Sequence, residues 1–177
     1  MKTALLLVAL SIGHMLAHGA AFREVRLVSN GSNLVLSKSD GSQAAAPKLE
    51  TQDSFGAPAI SQDGRYAGWL AEFPDFGASY SQPLYLVVLD QSNRIARFSG
   101  KFGMVFGWCF GPTPGTVVYT YSFPHGQTPV GFEMRRIEDS SLLRQFEAPP
   151  EDPYSDLAQP VKHIPAWAKC TIRRADE

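Results

Sequence analysis

Residues 101–147 read KFGMVFGWCFGPTPGTVVYTYSFPHGQTPVGFEMRRIEDSSLLRQFE, and they decide the fold because they resemble a second copy of residues 54–98. Each copy has Phe-Gly near its start, passes through a glycine-containing turn into a second strand-like run, and then opens a loop with Phe-Pro. A third and a fourth run follow, and the fourth ends at Phe98 in the first copy and at Phe146 in the second. A period of about 40–50 residues with four strands per unit is typical of propeller blades.

The spacing between the two copies is nearly constant. It is 51 residues at the turn, from Gly64 to Gly115, and 48 at the third run, from Leu89 to Ile137. Loops absorb insertions more readily than strands do. We therefore predict that the strands of the two copies are equivalent and that the loops differ in length.

The hydrophobic pattern predicts strands and no helix after the first 21 residues. Residues 84–89 form an unbroken apolar run, which predicts a strand buried on both faces. In residues 104–110, four large side chains alternate with three smaller ones, so we expect the large ones to share one face. The expected fold is all-β, with about ten strands in tandem four-stranded antiparallel propeller-like blades, as a partial propeller or an open sandwich.

Residues 1–21 have the composition of a signal peptide. Lys2 precedes an apolar run from Ala4 to Met15, and small residues follow it for cleavage. The alternative is an uncleaved anchor, although the run is short for a membrane span. We predict three parts: a signal peptide at 1–21, a β domain at 22–147 with its clearest repeats at 54–98 and 101–147, and a proline-rich extension at 148–177. In that extension we expect one last short strand from Trp167 to Ile172.

The charge balance indicates no nucleic-acid partner. Loss of residues 1–21 removes one base, Lys2, from 16, which leaves 15 bases against 17 acids and a formal net charge of −2. A nucleic-acid-binding domain normally carries a basic patch. The two basic doublets, Arg135-Arg136 and Arg173-Arg174, are interpreted as solvated strand edges.

The two cysteines, Cys109 and Cys170, permit one disulfide in an exported protein. Such a bond would tie the second repeat to the C-terminal extension. The alternative is two separate thiols, with Cys109 packed in a core strand.

Asn30-Gly31 lies between two apolar runs and predicts a hairpin over residues 24–38. The same asparagine begins an Asn-Gly-Ser glycosylation sequon. The turn already explains why these residues stand there, so the turn interpretation is preferred.

The first repeat resembles the blade motif of TolB-type periplasmic β-propellers. In that family the blade centre reads proline, any residue, aromatic, serine, proline, aspartate, glycine and a basic residue before an apolar strand. Residues 58–67, PAISQDGRYA, follow this pattern with Ile60 for the aromatic and Gln62 for the second proline. The second repeat lacks the serine and the aspartate, and the resemblance covers about residues 34–146.

A propeller usually closes with four to eight blades, whereas this chain supplies two and a half. Either the chain stops as an open, sandwich-like pair of sheets, or several copies assemble. Unsatisfied terminal blades would expose apolar faces and free edges, which proteins normally cover.

The sequence favours a non-catalytic protein. After residue 21 the histidines are His125 and His163, and neither has the spacing of a metal site. We therefore predict no metal and no cofactor. A triad of His125, Asp75 and Ser79 can be drawn, but triads are recognised by geometry rather than by spacing. A loop histidine in a turn is the preferred interpretation.

The loops that follow Phe73 and Phe123 hold equivalent places in the two repeats and should emerge on one rim. Because these two phenylalanines are repeated, we expect them to fold back and cap the core. Aromatic side chains beside polar groups on loops are suited to recognition. The binding candidates are the residues that are not repeated: Asp75, Phe76, Tyr80 and His125.

Three functions remain open. The favoured one is an exported, non-catalytic binding or scaffold protein of the periplasm or the secreted fraction, acting on a protein or another envelope macromolecule through this rim. The others are a hydrolase or enzyme-inhibitor module that uses the same rim, and a subunit that completes a propeller by self-assembly. None of these has a transmembrane span once residues 1–21 are removed.

Overall fold

A computed structural model describes residues 19–74, 80–101, 103–123, 129–148 and 164–172. These residues form eleven strands and one short 3-10 helix. The strands are β1 (Phe22–Val28), β2 (Asn33–Lys38), β3 (Gln43–Ala45), β4 (Ser54–Ile60), β5 (Tyr66–Phe73), β6 (Gln82–Asp90), β7 (Ile95–Phe98), β8 (Met104–Phe110), β9 (Thr116–Ser122), β10 (Val130–Arg136) and β11 (Leu142–Ala148). The 3-10 helix spans Ala166–Thr171.

The strands form three open antiparallel sheets, each of which follows the chain order. Sheet 1 contains β1 to β3, sheet 2 contains β4 to β7, and sheet 3 contains β8 to β11. The prediction of an all-β fold built from four-stranded, propeller-like units is confirmed. The two predicted repeats correspond to sheets 2 and 3.

Apolar side chains separate the sheets into layers. The first layer lies between sheets 1 and 2, and its buried members are Phe22, Leu34, Leu36, Ala46, Phe55, Ala67, Trp69, Ala71, Val87 and Leu89. The second lies between sheets 2 and 3, and its buried members are Leu70, Leu86, Val88, Phe98, Val105, Trp108, Val117, Tyr119, Tyr121 and Ile137. Neighbouring residues of β5 and β6 therefore alternate between the two layers, because successive side chains of a strand point to opposite faces.

Strand pairing corrects the predicted alignment of the repeats. In sheet 2, Ala67 of β5 pairs with Leu89, and in sheet 3, Val117 of β9 pairs with Arg135. Leu89 is thus equivalent to Arg135 and not to Ile137, as the sequence alignment has it. Ile137 lies beyond the end of β10, where its N–H donates to the carbonyl of Gly115. The apolar character of Ile137 caused the two-residue error.

The prediction for β8 is correct only for its second half. Trp108 and Phe110 face sheet 2, and the indole Nε1 of Trp108 donates to the carbonyl of Ala57 over 2.9 Å. Phe106, predicted to share their face, is instead 44% exposed. The register with β9 shifts between Val105 and Gly107, so Phe106 is the extra residue of a β-bulge and the alternation is broken there.

The C-terminal segment is a 3-10 helix, so the predicted strand from Trp167 to Ile172 is wrong. The helix packs on the face of sheet 3 that points away from sheet 2. Its neighbours in this third layer are Val118, Phe132, Met134 and Ala148. A Cβ atom at Gly107 would collide with the carbonyl oxygen of Thr171, so glycine is what allows the segment to lie against β8.

A disulfide joins Cys109 of β8 to Cys170 of the 3-10 helix, as predicted. It fixes the helix over the third layer, where Ala168 is fully buried. The outer face of sheet 3 is therefore covered by the chain itself.

Sheet 1 lies at the other end of the stack of three sheets, and its outer face is not covered by another segment of the described chain but is polar. Leu34 and Leu36 of sheet 1 point into the first layer, whereas Glu24 and Arg26 are exposed on its outer face. A polar outer face lets a terminal repeat meet water. Within the described residues, the outer face of sheet 1 therefore meets water with polar side chains, and the outer face of sheet 3 is covered by the disulfide-linked segment.

Aspartate side chains shape the turns of all three sheets. Asp40, Asp90 and Asp139 each accept a hydrogen bond from the backbone N–H two residues on, in the turn before the outermost strand. At Ser29-Asn30-Gly31 the backbone φ is positive in all three residues. Asparagine and glycine tolerate this conformation best, and the predicted hairpin is confirmed.

Candidate functional site

Only part of the predicted binding rim lies among the described residues. Tyr80 stands just before β6 and its side chain is 53% exposed. The other candidates, Asp75, Phe76 and His125, lie outside the described residues. Asp53 and Ser81 form part of the base of this rim, since the Ser81 hydroxyl donates to the Asp53 carboxylate over 2.6 Å.

The two repeated phenylalanines differ from each other. Phe73 packs against the first apolar layer and makes an edge-to-face contact with Tyr85 at 5.7 Å, as predicted. Phe123 is 43% exposed, so the prediction that it caps the core is wrong. The rim therefore presents at least two large aromatic side chains, Tyr80 just before β6 of sheet 2 and Phe123 just after β9 of sheet 3.

A second feature, which the sequence analysis did not single out, is a buried charged cluster in sheet 3. Among the described residues Glu133 is the only charged one in the buried class, with 5% exposure. Its carboxylate accepts a hydrogen bond from the Tyr119 hydroxyl at 2.5 Å and one from Arg135 Nε at 2.6 Å. Arg135 Nε also lies 3.0 Å from the Tyr119 hydroxyl, and its Nη1 donates to the Ser140 carbonyl at 2.9 Å.

Strand register brings these three side chains together. Tyr119 of β9 pairs directly with Glu133 of β10, so the two side chains stand side by side on one face. Arg135 follows two residues later and shares that face. We call these three residues the polar cluster.

The pKa values of Tyr119 and Arg135 in the polar cluster are both raised. Desolvation, followed by the hydrogen bond to Glu133, raises the pKa of Tyr119 well above the ordinary tyrosine range. Burial alone would lower the pKa of Arg135, but its hydrogen bond to Glu133 and the neighbouring charges outweigh this and raise it. At neutral pH Tyr119 is therefore a neutral phenol and Arg135 a guanidinium.

A groove of about 490 Å³ opens beside the polar cluster. It lies between the connector that follows β7 and the outer strands of sheet 3. Its lining residues are Ser99, Gly100, Lys101, Glu133, Arg135, Leu142 and Gln145. The side chain of Arg135 is 27% exposed, so its guanidinium is accessible from the groove.

The equivalent positions of sheet 2 are apolar. Trp69 of β5 pairs with Val87, in the place of the Tyr119–Glu133 pair of sheet 3. Leu89 likewise holds the place of Arg135, and both Val87 and Leu89 are buried. The same strand positions thus fold with aliphatic side chains in one repeat and with an ion pair in the other.

The sequence contained one signal for this cluster. In residues 131–135, GFEMR, the acid and the base are two apart, which places them on one face of a strand. The doublet Arg135-Arg136 was interpreted as a solvated edge, and this holds for Arg136, which pairs with Asp139 at the surface. It is wrong for Arg135. Arg173-Arg174 lies outside the described residues.

A smaller cleft of about 430 Å³ lies at the opposite rim, between the β4–β5 turn and the β8–β9 turn. Asp63 lies in the wall of this cleft, and its carboxylate already has two partners. Arg65 Nε lies 2.6 Å from the Asp63 carboxylate, and the Ser61 hydroxyl donates to that carboxylate over 2.7 Å. Within the five described ranges, no three His, Cys, Asp or Glu side chains are grouped to hold a metal ion. In the same ranges no helix is both long and apolar enough to cross a bilayer.

Comparison with known proteins gives no family. No family model matches the chain, and no curated protein matches it. Among solved structures, the chain is similar to an acylaminoacyl peptidase from Pyrococcus horikoshii, with 14% identity and a TM-score of 0.43. The match covers 73% of this chain and 25% of the peptidase, so this chain corresponds to about a quarter of that protein's length.

Proposed function

We propose that the protein is an exported, non-catalytic binding or scaffold protein of the cell envelope, which contacts another macromolecule through its aromatic rim. The observation that carries the proposal is the exposure of Tyr80 and Phe123 at equivalent loops of two neighbouring sheets. Large aromatic side chains are enriched at the centres of protein interfaces because they bury much surface with little loss of conformational entropy.

Two further features support export and a relation to envelope propellers. The disulfide between Cys109 and Cys170 suits an oxidising compartment. The blade motif at residues 58–67 suits a TolB-type origin of the repeats. Asp63 and Gly64 of that motif form its turn, with Gly64 at φ +68° and the Asp63 carboxylate accepting from the Arg65 N–H.

The ends of the stack favour a scaffold that acts alone over a subunit that completes a propeller. A chain that adds blades from other copies needs an apolar outer face on which the next blade packs. In this chain the disulfide-linked segment covers one end and polar residues cover the other. A rim at the side of the stack stays accessible in this arrangement.

The rim proposal is tested by replacing its two exposed aromatic residues. In the Tyr80→Ala/Phe123→Ala variant we expect capture of the partner from an envelope extract to weaken by about 1–2 kcal/mol or more. The melting temperature should change little, because exposed side chains contribute little to the core. Ile95→Ala is the matched control, since Ile95 is also exposed (38%) but lies at the opposite end of its sheet.

Two results would contradict the proposal. If the double variant unfolds, the two aromatics belong to the core rather than to a recognition surface. If it stays folded and captures its partner as the wild type does, recognition takes place elsewhere on the molecule.

A further inference from the structure

We propose that the C-terminal segment, residues 164–172, is a removable cover on an interaction surface. Thiol–disulfide exchange at Cys170 releases the segment, and two copies of the chain then pair through the outer faces of their third sheets. The oxidised chain is a monomer and the reduced chain is a reversible dimer. This surface is separate from the aromatic rim, and the proposal does not depend on the function proposed above.

The cover over sheet 3 is much smaller than the covers over the other apolar faces. The first and second layers each contain apolar side chains from two neighbouring sheets. In the third layer the C-terminal segment supplies one buried apolar residue, Ala168, and two partly buried ones, Ile164 and Trp167. Sheet 3 therefore supplies most of the apolar surface in this layer.

Hydrogen bonds among the described residues do not fasten the C-terminal segment to sheet 3. The N–H groups of Ala168 and Ile172 donate to carbonyls three residues earlier, and the Thr171 hydroxyl donates to the Ala168 carbonyl. All of these bonds stay within the segment. Within the described part of the chain, apolar contacts and the disulfide therefore hold the segment in place.

The disulfide is open to attack from solvent at one of its two residues. Cys170 is exposed, whereas Cys109 is half-buried against the third layer. A thiolate of a dithiol reductant attacks the Cys170 sulfur, breaks its bond to Cys109 and forms a mixed disulfide. The second thiol of the reductant then displaces Cys170. Two electrons and two protons thus pass to the two cysteines, and the reductant becomes a disulfide.

Release of the segment uncovers an apolar face on β9, β10 and β11. Strand pairing places its side chains next to each other, since Met134 lies opposite Val118 and Phe132 lies opposite Phe146. The apolar members of this face are Val118, Val130, Phe132, Met134, Phe146 and Ala148. Soluble proteins rarely leave a contiguous apolar patch of this kind in contact with water, so the uncovered face needs a partner.

A second copy of the chain offers a matching partner. The outer face of sheet 1 carries Glu24 and Arg26, so head-to-tail pairing of sheet 3 with sheet 1 would place charges on apolar side chains. The uncovered face of another sheet 3 is apolar instead. Pairing of two identical faces gives a closed two-fold dimer, and two sheets packed face to face form a sandwich.

The size of the face indicates a reversible dimer. Each of the four strands of sheet 3 contains seven residues. At ordinary strand spacings the face therefore measures roughly 23 Å by 19 Å. Two faces of this size bury an area at the lower end of the range for specific interfaces. We therefore expect dimers that dissociate on dilution.

The test compares the oxidised and reduced chains by analytical ultracentrifugation over a range of concentrations. We expect the oxidised wild type to stay monomeric and the wild type in excess dithiothreitol to form dimers. Cys109→Ser/Cys170→Ser, the thiol-free variant, should form the same dimers without reductant. These dimers are noncovalent, because the chain has no other cysteine.

Two readouts locate the pairing surface. In the thiol-free variant, Phe146→Lys or Val130→Lys adds a charge to the uncovered face and should restore the monomer, whereas Tyr80→Ala at the rim should leave the dimer intact. Circular dichroism shows whether each variant is folded. Oxidation of Met134 by hydrogen peroxide needs no further substitution, and it should be slower at high than at low concentration of the thiol-free variant.

Release of the cover is tested at Gly107. A Cβ at this position collides with the Thr171 carbonyl oxygen, so Gly107→Ala should loosen the segment and make reduction by dithiothreitol several-fold faster. Gly103→Ala is the matched control, because no heavy atom of the described chain lies within 4 Å of a Cβ at Gly103.

Several results would overturn the proposal. A reduced chain that is folded and monomeric has no pairing surface beneath the segment. A reduced chain that loses its strand signal in circular dichroism needs the disulfide to fold, and the segment is then no removable cover. Dimers that leave the oxidation of Met134 independent of concentration, or that Tyr80→Ala abolishes, form through another surface. Equal reduction rates in Gly107→Ala and Gly103→Ala would show that the segment does not open at β8.

Discussion

Sheets 2 and 3 share one strand order, and their two central strands pair in the same way over residues 67–71 and 117–121, yet the two sheets place different chemistry at equivalent positions. One cross-strand row of sheet 2 is Trp69, Val87 and Arg97, and the matching row of sheet 3 is Tyr119, Glu133 and Gln145. Val87 is fully buried and Glu133 nearly so. The fold therefore accepts an aliphatic side chain where sheet 3 keeps a carboxylate.

The apolar residues at these positions of sheet 2 indicate that a four-stranded sheet of this kind does not need the polar cluster in order to fold. Replacing a buried ion pair by apolar residues is often neutral or stabilising, because the pair must be desolvated. A charged pair that persists where the neighbouring repeat has an aliphatic solution points to a role outside stability.

The two sheets also differ in what covers them. Sheet 2 lies between two other sheets, whereas the outer face of sheet 3 is covered by a segment of nine described residues, 164–172. The disulfide compensates for the small size of that cover. Breaking it should affect sheet 3 more than sheet 2.

The largest expected effect comes from the disulfide. Cys109→Ser/Cys170→Ser should lower the free energy of unfolding by about 4 kcal/mol, the entropic estimate for a closed loop of this length. The cysteines are 61 residues apart. Urea unfolding of the oxidised wild type, the reduced wild type and the variant provides the measurement.

In that experiment the reductant should leave the variant unchanged, which serves as its control. An unfolding midpoint that is the same with and without the disulfide would show that the C-terminal segment covers sheet 3 without help from the bond.

The next effect concerns the ion pair. Arg135→Leu leaves the Glu133 carboxylate buried with only the Tyr119 hydroxyl, and this should cost about 2–3 kcal/mol. The value is below that of a fully buried pair because the Arg135 side chain is about a quarter exposed. Arg136→Leu is the matched control, and as a surface ion pair it should cost less than about 1 kcal/mol. Equal losses from the two variants would contradict the description of the cluster.

A smaller effect appears at alkaline pH. Burial and Glu133 raise the pKa of Tyr119 above the unfolded value of 10.0, so the folded state keeps a proton that the unfolded state loses. This contribution to stability is complete below about pH 10 and is lost as the pH rises, by at most about 1.4 kcal/mol per pH unit. Tyr119→Phe should therefore show a shallower loss of stability between pH 9 and 11.

The pKa of Tyr121 is raised in the same direction, by desolvation first, so part of the slope should remain in that variant. The slope is obtained from urea unfolding at several pH values. An unchanged slope in Tyr119→Phe would show that this hydroxyl does not titrate as its surroundings indicate.

The sequence predicted the features that depend on local pattern. Turn residues and period-two alternation identified the strands, Asn30-Gly31 identified a hairpin, and the cysteine count permitted the disulfide. These features follow from residue types and spacing alone.

Features that depend on tertiary contacts were missed. The alternation of Glu133 and Arg135 is the same on a solvated face and on a buried one, and only the packing of sheet 2 against sheet 3 decides between them. The bulge at Phe106 and the 3-10 conformation of residues 166–171 were also missed, and the hydrophobic pattern of these residues is that of regular strands. Of the predicted rim residues, only Tyr80 is among those the structure describes.

The most direct test of the claim that sheet 3 does not need its charges is the free energy of unfolding of Glu133→Val/Arg135→Leu. This variant copies Val87 and Leu89 of sheet 2 into the equivalent positions of sheet 3. We expect its stability to lie within about 1 kcal/mol of the wild type, and therefore above that of Arg135→Leu alone. A loss of more than about 3 kcal/mol in the double variant would contradict the claim, because it would show that sheet 3 depends on the polar cluster to fold.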